Sequence, residues 1–255
     1  MAVHNTSSAI RAGAAGAAAS GFYTHIIENS LRLDYDAQNY LEGAALSIPD
    51  TNVPWSASFW VQRALTGAYG SSSNSAVIGH DGGGHISGFN DDNTFYVTTG
   101  LSGEKLQTNR IFTDTSAWYH IFYYASSGTR QIYVNGLNAT LGTSSWGSST
   151  VWYNGAKIQI GATNSTSSGA RIFVGHIAEF FLFYNQQKAY TDFGEFKSGV
   201  WIPKKYTGGF AQSRDIHLKF ENSGNLGLDS SGNGNNFTSN NLDASHQSTN
   251  TPTFS

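Results

Sequence analysis

Residues 116–136, SAWYHIFYYASSGTRQIYVNG, constrain the fold more than any other stretch of the chain. Trp118, His120, Phe122 and Tyr124 fall on one side of a period-two pattern, and Tyr119, Ile121, Tyr123 and Ala125 fall on the other. Both faces of this arm are therefore mostly apolar or aromatic, as in a strand of the inner framework of a layered β-fold. Ser126, Ser127, Gly128 and Thr129 supply a polar turn. Gln131, Tyr133 and Asn135 then alternate against Ile132 and Val134 until Asn135-Gly136 turns the chain again.

Further short strands are predicted on either side. Asn29 to Asp36 places Leu31, Leu33 and Tyr35 on one face, and Tyr40-Leu41 begins another run. Ser56 to Arg63, Ala76 to Ile78, Thr94 to Thr99, the region around Ile111-Phe112 and Lys157 to Gly161 read the same way, with Gly- and Ser-rich loops between them. Arg171 to Asn185, RIFVGHIAEFFLFYN, holds an unbroken apolar run at Phe180–Phe183 and predicts a strand covered on both faces. Gln186 to Phe196 predicts one short helix, with Tyr190, Phe193 and Phe196 at helical spacing. Asp215 to Phe220, DIHLKF, predicts a last strand with Ile216, Leu218 and Phe220 inward. Together these give an all-β, two-sheet antiparallel jelly-roll sandwich over residues 22–200. An Ala/Gly-rich arm at 1–21 precedes it, and a loop-rich extension at 201–255 follows.

Charged residues make up only 12% of the chain and the formal net charge is -3. No electrostatic term therefore favours nucleic acid or an anionic membrane. No apolar run approaches the roughly 18 to 20 residues that cross a bilayer, and the N-terminus lacks the basic-then-apolar order of a secretory signal. With no cysteine, disulfides, thiolate metal sites and thiol nucleophiles are excluded.

The order SASFWV, SAWYHIFYYA, QIYVNG and FVGHIAEFFLFYN resembles the laminin-G-like, concanavalin A-like lectin and glucanase superfamily. The resemblance rests on Trp118 with His120, on Val134-Asn135-Gly136, and on Gly175, Ile177 and Glu179. It implies the same jelly roll. The opening IENSLRLDYDAQNYLEGA, together with DFGEFKSGVWIPKKYTG and LGLDSSGNGNNFTSNNL, resembles bacteriophage structural proteins of marine or cyanophage type. That second resemblance implies a virion component.

Glycoside hydrolases of the superfamily carry clustered carboxylates, because retaining cleavage needs an acid and a nucleophile about 5 Å apart. Here Glu179 stands among Ala178, Phe180 and Phe181, and the nearest acidic sets are Asp34 with Asp36 and Asp91 with Asp92. We therefore expect no catalysis. His80, Asp81 and His85 form the most metal-like cluster, but their spacing matches no established zinc pattern. Asp91, Asp92 and Asn93 offer hard oxygen ligands suited to calcium, and turn propensity explains them equally well. No other cofactor is expected. His120, between aromatic neighbours, reads as a structural histidine.

Trp55, Tyr69, Trp146, Trp152 and Tyr153 lie in or beside polar loops, where aromatic rings can stack on the C–H faces of sugars. The expectation is a non-catalytic virion protein made in the host cytoplasm and displayed on the particle as a decoration, fibre or spike element. It would be a homotrimer that meets other virion proteins through the N-terminal arm and the C-terminal extension. The alternative is a carbohydrate-binding adhesin that recognises host glycans; a polysaccharide depolymerase ranks below both.

Overall fold

The alternation read from the sequence is realised as strands in two antiparallel sheets. A computed structural model describes residues 21–35, 39–45, 53–67, 74–82, 85–98, 105–126, 129–145, 155–163 and 171–254, and the expected arm at residues 1–20 lies outside them. The first half of the chain forms β1 (Ser30–Leu33), β2 (Tyr40–Ala45), β3 (Trp55–Arg63), β4 (Asn74–His80), β5 (His85–Asn90), β6 (Thr94–Thr98), β7 (Lys105–Ile111) and β8 (Tyr119–Ser126). It continues through β9 (Thr129–Val134), β10 (Leu137–Asn138), β11 (Leu141–Ser145), β12 (Lys157–Ile160), β13 (Ala162–Thr163), β14 (Arg171–Ile172) and β15 (Gly175–Tyr184). The remainder supplies β16 (Gly194–Lys197), β17 (Val200–Pro203), β18 (Ile216–Leu218), β19 (Thr238–Asn240) and β20 (Gln247–Ser248).

The first sheet runs β10-β9-β8-β3-β15-β1-β20, with β18 also paired to β15, and the second runs β11-β7-β6-β5-β4-β12-β2-β19. This is the expected two-sheet antiparallel jelly-roll sandwich. Its core interleaves Phe59, Val61, Ile121, Tyr123, Ile177, Phe180 and Leu182 of the first sheet with Leu41, Val77, Phe89, Phe95, Val97, Ile158 and Ile160 of the second. Phe59 packs on Phe180 at 6.1 Å and on Phe95 at 6.4 Å between ring centroids, which ties the two layers together.

The outer face of the first sheet is equally aromatic, as the sequence of the β8–β9 hairpin demands. Phe122, Phe181, Phe183 and Phe193 form one cluster there, with Tyr206 and Phe210 against it. Trp60, Ala178, Ile27 and Trp201 form another. Trp201 reaches this position because Gly136 and Gly194 carry no side chain: an added Cβ at either would lie 2.2 or 2.4 Å from the indole. Asn135 and Gly136 both have positive φ, 49° and 74°, as a two-residue type I′ hairpin turn requires.

Three departures from the sequence reading have local causes. The helix expected over 186–196 is a single 3₁₀ turn, Tyr190–Asp192, after which the chain becomes β16. Gly194 is needed beneath Trp201, and extended pairing with β17 puts it there. Residues 171–185 form two strands, broken at Phe173-Val174. Finally, the stretch after 201 is built into the sandwich, with β18 and β20 in the first sheet and β19 in the second.

Along one edge of β15, β1 pairs with Gly175–Ile177 and β18 with Phe180–Leu182. Glu179 sits between these segments, at a bulge against β3 and at φ 47°. Its carboxylate, in a residue 8% exposed, lies 3.3 Å from His25 Nε2 and 3.5 Å from His217 Nε2. Burial alone would raise this carboxyl, but the two imidazoles outweigh it and hold the pKa down at about 2. His120 is fully buried. Its Nε2 shares a 2.9 Å hydrogen bond with Ser58 Oγ, and burial depresses its pKa to about 3.

Two outcomes follow for stability. Glu179→Gln keeps the shape and the left-handed backbone but removes the buried charge that faces His25 and His217; we expect a loss of about 3 kcal/mol, read as a lower urea midpoint, and an unchanged midpoint would refute a stabilising role for these contacts. For His120 the folded-state pKa lies below the ordinary 6.5, so the unfolded chain takes up a proton that the folded chain refuses. Its contribution is fully present above about pH 6.5 and is lost toward pH 3, at up to about 1.4 kcal/mol per pH unit. Urea titrations at successive pH values should show a shallower acid slope in His120→Leu than in the parent, and equal slopes would contradict this assignment.

Candidate functional site

The second sheet presents a different outer surface. Along β6, Phe95 and Val97 enter the core, which turns Thr94, Tyr96 and Thr98 outward. Along β7, Leu106 enters the core and Lys105 and Gln107 turn outward. The register sets Tyr96 opposite Gln107 and Thr98 opposite Lys105, and β11 adds Thr143 beside Gln107 and Ser145 beside Lys105. Thr143 and Ser145 are exposed, and Lys105 and Gln107 are half-buried.

These side chains are held by one another. Asn90 Nδ2 donates to Thr94 Oγ1 at 2.9 Å, and the Thr94 hydroxyl donates to Asp92 Oδ1 at 2.5 Å. Gln107 Nε2 donates to Asp92 Oδ2 at 3.0 Å and to Thr94 Oγ1 at 2.8 Å. Lys105 Nζ donates to Asn90 Oδ1 at 3.2 Å while lying 5.2 Å above the ring of Tyr96. Burial is the largest single influence on the Asp92 carboxyl and pushes it up. Hydrogen bonds from Thr94 and Gln107 and the charge of Lys105 more than reverse this, so its pKa is lowered. Burial lowers the Lys105 pKa, partly opposed by Asp92 and Asp91.

The result is a strip of fixed donors and acceptors repeating at the strand spacing of about 4.8 Å, in which Asp92, Lys105, Gln107, Thr143 and Ser145 reach the surface while Asn90, Thr94, Tyr96 and Thr98 are buried and hold them in place. Such a strip suits a ligand rich in hydroxyl groups. Held ionised, Asp92 can accept hydrogen bonds but cannot serve as a general acid near neutral pH.

The residues singled out in the sequence are distributed as follows. Trp55 is a core residue, 2% exposed, with its ring edge-on to Tyr123 at 5.4 Å. It has no open face for a sugar, because the β3 position that carries it faces the space between the sheets. Tyr69, Trp146, Trp152 and Tyr153 lie outside the described residues. The strand ends that flank segments 99–104 and 146–154, namely Thr98, Lys105 and Ser145, are register neighbours at one end of the polar strip.

Asp91, Asp92 and Asn93 form the β5–β6 turn, and their oxygens diverge. Asp91 Oδ1 accepts from Asp92 N at 2.9 Å. Asn93 Oδ1 accepts from Arg63 Nη1 at 3.0 Å and Gly67 N at 2.6 Å. A guanidinium thus stands where calcium would need a free oxygen, and the turn does not fit that ion. His80 is buried and accepts from Gly82 N at 3.1 Å, while Asp81 accepts from Lys157 N at 2.9 Å. Both therefore serve the β4–β12 connection. The side chain of His85 lies outside the described residues, among which no group of three or more His, Asp and Glu side chains can hold a metal ion.

Reading the sequence for chemistry missed Asn90, Thr94, Lys105 and Gln107. The available signal was the alternation in TFYVT and KLQTN, which places polar residues on one face of paired strands.

Comparison with known proteins agrees with this architecture. The family model described as the concanavalin A-like lectin/glucanases superfamily matches residues 36–188, more than half of the chain. No curated protein sequence matches. Among solved structures, a candidate carbohydrate binding protein from Bacteroides ovatus ATCC 8483 superposes with a TM-score of 0.53 at 15% identity, covering 84% of this chain and 58% of that one. This chain thus spans under two thirds of that protein's length. A heptameric SAP-like pentraxin from Limulus polyphemus gives 0.45 at 10% identity, covering 65% of this chain and 79% of that one. Domains LG4-5 of the mouse laminin alpha1 chain give 0.42 at 11% identity, covering 64% and 43%. With its two eight-stranded antiparallel sheets and a family match across most of both, this chain belongs to the concanavalin A-like lectin/glucanases superfamily.

Proposed function

We propose that this protein is a non-catalytic carbohydrate-binding module that engages glycans along β6, β7 and β11 of the second sheet. The observation that carries this reading is that surface Asp92, Lys105 and Gln107 are fixed by hydrogen bonds through buried Asn90 and Thr94, with exposed Thr143 and Ser145 beside them. Side chains locked by their neighbours lose little further entropy when a ligand replaces water, which favours recognition of a weakly hydrophobic, hydroxylated surface. Membership of the superfamily and the name of the Bacteroides ovatus structure point the same way.

The setting we infer is the surface of a virion, with the chain as a displayed decoration, fibre or spike element that attaches to host glycans. This rests on the likeness of the opening stretch and of residues 192–208 and 226–242 to bacteriophage structural proteins. Homotrimeric assembly belongs to the same reading, and so does contact with other virion proteins through the N-terminal arm.

A glycan array probed with the purified chain should show saturable binding to at least one bacterial polysaccharide. Gln107→Ala, with an unchanged melting temperature, should weaken that binding about tenfold, the value of one well-placed hydrogen bond. Silence across the array, or full affinity in the variant, would overturn the assignment of this strip. Sedimentation equilibrium should report a trimer, and a stable monomer would refute the assembly.

A further inference from the structure

A second concavity lies on a different part of the molecule, in the stretch that follows β18. Phe220 is buried and lies at φ 59°, a conformation that costs a bulky residue about 1–3 kcal/mol. The surroundings enforce it: the Phe220 ring joins the inter-sheet core and its carbonyl accepts from Gln247 Nε2 at 2.8 Å. This kink throws the chain out of the sheet into two successive tight turns. Asn225 N donates to Asn222 O at 3.0 Å, and Leu228 N donates to Asn225 O at 3.1 Å. Asn222 Oδ1 also accepts from Gly224 N at 3.0 Å. The returning strand is fixed where Asp229 bridges to Leu218 and takes the His217 amide at 3.0 Å.

The arc so formed encloses a cavity of about 350 Å³ lined by Glu221, Asn222, Ser223, Asn225, Leu228 and Ser230 above the Phe220 floor. That volume is at the small end of ligand pockets, roughly 300–1,000 Å³. Among the described residues, no hydrogen bond engages the side-chain amide of Asn225 or the hydroxyls of Ser223 and Ser230, three of the residues that line the cavity. Leu228, 39% exposed, adds an apolar wall. The one lining carboxylate, Glu221, is paired with Lys219 at 3.3 Å. The lining therefore offers neutral donors and acceptors beside one apolar side chain, without the free cation that a phosphate or sulfate group would require.

We propose that this cavity is a second binding site, for a neutral mono- or disaccharide unit, independent of the strip on the second sheet. Two separate sites on one chain would raise avidity for a repeating polysaccharide without any single tight contact.

Amide chemical-shift mapping on the isotopically labelled full chain tests this, with galactose, N-acetylglucosamine, lactose, maltose and cellobiose as probes at millimolar concentration. At least one probe should shift the amides of residues 221–230, with weak saturable affinity. Asn225→Ala, which keeps the Asn225 carbonyl used in the turn, should reduce that affinity about tenfold, and Gln107→Ala should leave it unchanged. Absence of shifts in 221–230 with every probe would overturn the proposal. So would shifts of undiminished affinity in both Asn225→Ala and Ser230→Ala. Loss of these shifts in Gln107→Ala would overturn the independence of the two sites, whereas failure of the array with intact shifts here would bear only on the strip.

Discussion

Burial of β15 from both sides is the constraint that the rest of the molecule satisfies. Ile177, Phe180 and Leu182 face the second sheet, while Ala178, Phe181 and Phe183 face away from it. Strict alternation from Ile177 would put Glu179, Phe181 and Phe183 into the inter-sheet core. The bulge at Glu179 inserts one residue and reverses the phase, so that Phe180 and Leu182 take those places. The carboxylate is thereby removed from the core and meets His25 and His217.

Because the outer aromatic face needs its own cover, residues outside the central jelly roll are drawn onto it. Trp201, Tyr206 and Phe210 supply rings, and the N-terminal segment is pinned along the same surface. Ile27 exchanges two hydrogen bonds with Thr253, at 3.2 and 2.8 Å. Asn250 receives the Trp118 indole N–H at 3.3 Å and donates to Gln62 at 2.5 Å. With this face closed, an extended polar ligand has the second sheet left to it, where Gln107, Lys105, Thr143 and Ser145 remain open to solvent. The division of labour between the sheets thus follows from the sequence of β8 and β15.

Much of the fold was legible because period-two patterning is strong where one or both faces are buried. The β8–β9 hairpin, the Asn135-Gly136 turn and the inward set Ile216, Leu218 and Phe220 all emerge from alternation alone. The short helix was misread because Tyr190, Phe193 and Phe196 have helical spacing. The need for Gly194 beneath Trp201 is a tertiary demand that no local pattern carries. Trp55 was misassigned for a related reason: its place beside a polar loop says nothing about which way the ring points, and β3 turns it inward. The polar strip was hard to see because its members come from separate strands and look like ordinary surface residues until register brings them together. Conversely, Asp91-Asp92-Asn93 looked like a ligand set because adjacency in sequence suggests convergence, whereas the turn sends the Asn93 oxygen toward Arg63.

Glu179 also bears on the cavity beyond β18. That strand is three residues long, too short to hold its position by pairing alone. It is anchored by β15 on one side, by Asp229 and its loop on the other, and by His217, which stacks on Phe181 at 4.0 Å while facing Glu179. The strained Phe220 follows two residues after Leu218, so the shape of the arc is set by how firmly β18 is held. A buried carboxylate in the middle of the first sheet therefore fixes both the path of the N-terminal segment, through His25, and the geometry of the C-terminal concavity, through His217. Removing its charge would loosen both the segment around His25 and the loop beyond β18, which is the physical sense in which residues 201–254 belong to the domain.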